Sequence, residues 1–140
     1  MNIEKILLAV DGSDHSLHAA GHAADLAKCA GAEILLFTCY PILEGDDQPF
    51  FDHSTPQAME AEARKTLEPY KVLLAERGAA FTALIASGDP AREIVATAKA
   101  GGSDVIVMGS RGLGKVMGLI LGSVTKDVVQ TAPCSVWVVR

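Results

Sequence analysis

Between Met108 and Asp127 the chain reads MGSRGLGKVMGLILGSVTKD, a stretch rich in residues that hold phosphate. Two spacings compete within it. Gly109, four residues and then Gly114-Lys115 begin a P-loop, G-x-x-x-x-G-K, but Val116 stands where that motif needs a Ser or Thr hydroxyl for Mg²⁺. The second spacing is Gly109-x2-Gly112-x9-Gly122-Ser123. Glycines at 109 and 112 would let backbone N–H groups approach phosphate oxygens with no Cβ between, and would permit positive φ. Gly122-Ser123 would open a helix whose free N–H groups and dipole favour an anion, with the Ser123 hydroxyl as a further donor. Turn glycines with no ligand give the same short spacings, so the pattern needs a structural context.

Other residues could join such a site. Asp11 follows the first apolar run, where a carboxylate can accept hydrogen bonds from two ribose hydroxyls. The same residue beside Ser13 could instead belong to a helix cap. Arg111 and Lys115 could meet phosphates or remain solvated. His15, His18 and His22 share one helix face, and a pair four apart can bind metal, but no Cys or carboxylate set accompanies them. That face lies opposite an alanine stripe and is expected to meet water; His53 supports no site. Cys29, Cys39 and Cys134 have no metal or redox spacing, and Cys39 and Cys134 read as small buried hydrophobes at strand ends. No Ser/His/Asp arrangement or carboxylate pair is discernible, so no catalytic or metal-ligating residue is assigned.

The elements that must position these residues alternate along the chain. Apolar β-type runs are expected at 3–10, 33–40, 79–86, 104–109 and 134–140. Helices are expected from Ser13 to about Ala30, Gln57 to Arg77, Pro90 to about Ala100, and 123–131. The first carries Ser16, Ala19, Ala20, Ala23, Ala27 and Ala30 as a stripe of small residues for close packing on a sheet. The second places Ala63, Leu67, Tyr70 and Leu74 on one face, with Pro69 expected to kink or break it. Asp89 and Pro90 read as N-cap and first helical residue of the third. The connection 41–56 is long and polar, which suggests a mobile or lid-like segment. The β-α alternation predicts one α/β domain over 1–140, a parallel sheet with helices on both faces. In such sheets ligands bind beyond the strand carboxyl ends where strand order reverses. In the order 3-2-1-4-5 the sequences VDGS and MGSRG face one crevice. The P-loop reading weakens, because VMGLIL separates Lys115 from the better helix start at Gly122-Ser123.

The 140 residues are half apolar, and 21% are charged, with a net charge of −5. That is a folded domain, and the charge disfavours nucleic acid or an anionic membrane as partner. No apolar run is long enough to span a membrane and the N-terminal stretch lacks a signal pattern, so a cytoplasmic location is expected. The last strand, Ser135 to Val139, lacks the charge, proline or bulge that protects an exposed edge, and it carries the only tryptophan. A two-fold homodimer through 134–140 is expected; cover by the preceding loop and helix is the alternative.

The segments ILLAVDGSDHS, GDPAREIVATA and DVIVMGSRGLGKVMGLILGSVTKDVVQTAPCSVWVV together resemble the universal stress protein family over nearly the full length. The glycine spacing matches that of the family's ATP-binding branch. The resemblance implies a Rossmann-like sheet (adenine nucleotide alpha hydrolase-like) of order 3-2-1-4-5 and a dimer. It implies ribose on Asp11, phosphates on Gly109, Gly112, Gly122, Ser123 and Val124, and adenine near Ala9, Val10, Thr38 and Met108. The expectation is an adenine-nucleotide module, ATP or else AMP or ADP, with any Mg²⁺ held mainly by the phosphates, acting as a stress-response regulator read by a protein partner. A slow ATPase or phosphotransferase, and a dimer that binds no nucleotide, are the alternatives.

Overall fold

The computed structural model describes residues 2–42, 55–112 and 121–140. Five strands, β1 (Lys5–Ala9), β2 (Glu33–Tyr40), β3 (Phe81–Ser87), β4 (Val105–Gly109) and β5 (Ser135–Val139), form one sheet. Their order is β3-β2-β1-β4-β5, with every neighbouring pair parallel. Four helices, α1 (Asp14–Ala30), α2 (Pro56–Glu76), α3 (Pro90–Gly101) and α4 (Ser123–Thr131), cross between them.

The central strands read as unbroken apolar runs because both of their faces are covered. Ile6, Leu8, Val10, Ile34, Leu36, Val105 and Val107 pack with α1 and α2. Leu7, Ala9, Phe37, Ile106 and Met108 pack with residues of α3 and with Val128 of α4. The α1 stripe is Ser16, Ala19, Ala20, Ala23, Ala24 and Ala27. Ala30 was expected on it but is exposed in the last turn, and Ala24 is buried instead. Ser13 caps α1 by accepting the Ser16 N–H at 3.2 Å, and Gly31 ends it at φ 69°.

Thr55 caps α2, and Ala63, Leu67, Tyr70 and Leu74 are its buried residues, as their spacing predicts. Pro69 does not break this helix. The carbonyl that loses its donor belongs to Lys65, and both residues are exposed, so water can replace the missing bond. Asp89 and Pro90 start α3 as expected. Most of the connection 41–56 lies outside the described residues.

At the opposite end of the sheet from the strand carboxyl ends, Asp104 ties β4 to β1. Its Oδ2 accepts the N–H groups of Glu4 and Lys5 at 2.8 and 2.9 Å, and these bonds hold its carboxyl below the ordinary carboxylate range. A depressed folded pKa contributes stability that is full above the unfolded value and is lost as pH falls through the folded one. Asp104→Ala is therefore expected to lower the melting temperature at pH 7, with the gap to wild type closing as pH falls below 4. A gap independent of pH would contradict the assignment.

Candidate functional site

The Cα register pairs Ala9 with Met108, so β1 and β4 end side by side at the point where strand order reverses. A cleft of about 270 Å³ opens there on the α3/α4 face. Of the residues singled out from sequence, Ala9, Val10, Asp11, Met108, Gly109, Arg111, Gly112, Gly122, Ser123 and Val124 line it. Thr38 does not. Its hydroxyl donates to the Val10 carbonyl at 2.8 Å, and the residue faces a second recess shared with Asp11, Met59, Glu62 and Thr66. The cause is strand alternation: on β2 the cleft takes Phe37 and Cys39, and the residue between them points to the other face.

Sequence reasoning missed Phe37, Cys39, Ser16, Pro90, Ile94 and Thr125 as lining residues. Alternation along EILLFTCY could have found the first two. Pro90 and Ile94 belong to the GDPAREIV start of α3, a segment already singled out but given no place in the site. Phe37, Ile94 and Met108 give this end of the cleft apolar walls suited to a flat ring.

The β1–α1 loop presents Asp11. Its Oδ1 accepts the Ser13 N–H at 3.0 Å, and Gly12 between them adopts φ 89°, a conformation that favours glycine. Ser13 is the helix cap, so Asp11 braces the loop and does not cap α1. Its second oxygen, Oδ2, has no hydrogen bond among the described residues, and it occupies the space that a Cβ on Gly112 would need. Glycine at 112 thus admits the Asp11 carboxylate to the cleft.

Gly109, Gly112 and Gly122 all lack positive φ, contrary to the expectation for the first two. Close approach explains them instead. A Cβ on Gly109 would lie 2.8 Å from the carbonyl carbon of His15 and 2.9 Å from the Ser16 nitrogen. This glycine lets the first turn of α1 seat on the end of β4. A Cβ on Gly122 would lie 3.3 Å from the Arg111 Cα and 3.5 Å from the Gly112 nitrogen. The two arms of the glycine loop meet at that point, where the Gly122 N–H donates to the Ser110 carbonyl at 2.7 Å.

Gly122 is the N-cap of α4 and brings no side chain to it. The caps of α1, α2 and α3, namely Ser13, Thr55 and Asp89, each accept a first-turn N–H. In α4 the first-turn donors have no such acceptor and no acidic residue beside them. The Thr125 hydroxyl donates to the Gly109 carbonyl at 2.8 Å and ties this turn to β4. Ser123 and Val124 therefore bring to the cleft wall N–H groups with no acceptor among the described residues, the arrangement that binds anions. Gly114 and Lys115, the end of the P-loop spacing, lie outside the described residues.

On the histidine face of α1, His18 and His22 are exposed as expected and His15 is half-buried. His15 Nδ1 lies 3.0 Å from the Ser110 hydroxyl, His18 Nδ1 lies 3.4 Å from the Arg140 carbonyl, and the His22 ring sits 5.5 Å from that of Trp137. This face of α1 leans over the carboxyl ends of β4 and β5. Among the described residues no group of three His, Cys, Asp or Glu could hold a metal ion. Cys39 and Cys134 are partly rather than fully buried. Burial, helped by Glu93 and Asp89, pushes the Cys39 thiol up to about 11, so it stays protonated and is a poor nucleophile. No described helix is long and apolar enough to cross a membrane.

Comparison with known proteins agrees with this geometry. Residues 2–140 match the Universal stress protein family. The chain is 39% identical over 136 residues to a universal stress protein of Thermus aquaticus, covering 96% of this chain and 97% of that one. It superposes on UspA of Lactobacillus plantarum with a TM-score of 0.82 at 25% identity, covering 100% and 99% of the two chains. A universal stress protein solved in complex with cAMP gives a TM-score of 0.77 at 25% identity, covering 100% and 98%. On its sequence match and its fold, the chain belongs to the universal stress protein family.

Proposed function

We propose that the cleft binds an adenine nucleotide, ATP in the first instance, and that the bound state is what a partner reads. The uncapped start of α4 opening into the cleft carries this reading, because its first-turn N–H groups and the helix dipole favour an anion and a phosphate supplies one. The phosphates lie against Gly109, Gly112, Gly122, Ser123 and Val124, with Arg111 at their edge. The ribose reaches Asp11, and the base lies between Phe37, Ile94 and Met108, beside Ala9 and Val10. The cAMP complex of a structural relative supports an adenine ligand. Among the described residues Asp11 is the only carboxylate on the cleft wall, so Mg²⁺ would be held mainly by the phosphates. Nucleotide carried through purification, released by denaturation and identified by mass spectrometry, tests the reading. Protein that carries none, and binds neither ATP nor AMP when soaked, would remove it.

Signalling by occupancy is favoured over catalysis. Among the described residues the cleft wall holds no His or Lys, and the one carboxylate among them supplies few of the groups that position water and stabilise phosphoryl transfer. Hydrolysis by the pure protein is expected to be far slower than the roughly 1–100 turnovers per second typical of kinases. Faster turnover that disappears in Asp11→Ala would favour an enzyme.

The chain is further proposed to form a homodimer through β5. One side of this strand is unpaired in the sheet, and Trp137 is 39% exposed on it. Antiparallel pairing with a second copy would satisfy that edge and cover the ring. Val138→Pro, which removes a strand N–H, is expected to shift the protein to monomer or aggregate. Wild type that sediments as a monomer at micromolar concentration would contradict the dimer.

A further inference from the structure

Tyr70 belongs to α2 and does not line the cleft, yet its hydroxyl reaches beneath the loop that carries Asp11. The side chain is 2% exposed. Its oxygen accepts the Gly12 N–H at 3.0 Å and is hydrogen-bonded to the Ser16 hydroxyl. Ser16 gives its own proton to the Ser13 carbonyl at 3.0 Å, so between the two hydroxyls Tyr70 must be the donor. The Ser16 oxygen also lies 3.4 Å from the Asp11 nitrogen as acceptor. The donors thus run in one direction, from the Gly12 N–H to Tyr70, from Tyr70 to Ser16, and from Ser16 to the Ser13 carbonyl. Burial raises the Tyr70 pKa, which keeps on the phenol the proton this chain requires.

We infer that Tyr70 is a positioning residue for ribose recognition, holding the Asp11–Ser13 loop so that the Asp11 carboxylate stays at the cleft. The inference rests on the nucleotide reading above. Gly12 supplies the geometric reason. At φ 89° the loop is a bend with many alternatives open to glycine, and a backbone N–H fixed from below selects one of them. Asp11 then needs only its short bond to Ser13 to aim its free oxygen. Without the phenol, the Gly12 N–H would lose its acceptor within the protein and Asp11 would sample other directions. The Tyr70 hydroxyl is hydrogen-bonded to Gly12 and Ser16 and to none of the residues proposed to hold the base and phosphates.

Calorimetric titration of ATP and 2′,3′-dideoxy-ATP into wild type, Tyr70→Phe, Asp11→Ala and the double variant tests this role. Tyr70→Phe is expected to weaken ATP about five- to tenfold while changing dideoxy-ATP less than about twofold. It should add nothing in the Asp11→Ala background, since both act on one contact. Equal losses for both nucleotides, or additive losses in the double variant, would overturn the inference and leave the nucleotide site standing. Wild type that binds neither nucleotide would remove the site and the inference together. Wild type that binds both equally would remove the ribose role alone. Amide exchange in the nucleotide-free protein gives a second readout. The Gly12 amide should exchange faster in Tyr70→Phe with β1 amides unchanged, and unaltered protection at Gly12 overturns the proposal. Circular dichroism checks that Tyr70→Phe, which leaves the ring in the core, is folded.

Discussion

Gly122→Val is expected to abolish nucleotide binding while the sheet still folds. The Cβ it introduces would stand 3.3 Å from the Arg111 Cα, close enough to force the loop to give by a few tenths of an ångström. That shift alone is tolerable in a surface loop. The two valine methyls have the larger effect, because they add bulk to a Cβ already 3.5 Å from both the Gly112 nitrogen and the Ser110 carbonyl, where the loop closes onto α4. They would displace the first-turn donors from the anion. Hydrogen bonds to a charged acceptor contribute about 1.5–3 kcal/mol each, so losing two weakens binding by about a hundredfold or more. Calorimetry with ATP on variant and wild type checks this, with circular dichroism to confirm the fold. Affinity within a few-fold of wild type would mean that phosphate does not lie at the α4 terminus.

Gly109→Ala is expected to act on stability as strongly as Gly122→Val acts on binding. The new methyl would meet main-chain atoms of His15 and Ser16 at 2.8 and 2.9 Å, distances that real contacts essentially never show. Flexible side-chain ends can move aside, but here the neighbour is the first turn of α1, held by the Ser13 cap and by the bond from Tyr70 to Ser16. Either α1 lifts from β4 or the β4 end bends. Overpacking a core contact costs about 1–3 kcal/mol, and a rigid backbone neighbour places this site at the upper end. A melting temperature lower by roughly 5–10 °C follows for a domain of this size. An unchanged melt would show that α1 and β4 are not tightly seated. On this account Gly109 serves chiefly to seat α1 on β4, whereas Gly122 is proposed to keep the start of α4 open to the ligand.

Much of this was legible before any coordinates. The long apolar runs, the Ser13 and Asp89 caps and the Gly31 stop are local signals, and the elements appear where those signals place them. The glycine spacing also identified the right loop. Its reason was less legible, because positive φ and close approach both favour glycine and only the fold shows that α1 presses on Gly109. Thr38 shows how a one-residue step fails in a strand, since its neighbours Phe37 and Cys39 take the opposite face. The contacts of the histidine row were not legible, because the helix period locates the face opposite the alanines but not the neighbouring strands that face leans over. Tyr70 read as one more core residue, and the partners of its hydroxyl lie 54 and 58 positions away, beyond the reach of periodicity.

Titration of ¹⁵N-labelled protein with ATP, followed amide by amide, tests the central claim most directly. Binding in the cleft predicts saturable shifts concentrated at Val10 to Ser13, Met108 to Gly112 and Gly122 to Thr125, with the largest at the α4 first turn, where N–H groups gain a charged acceptor. The Asp104 end of the sheet should stay unchanged. Shifts confined to the recess around Thr38, Met59 and Glu62, or no shifts at millimolar ATP, would contradict the account.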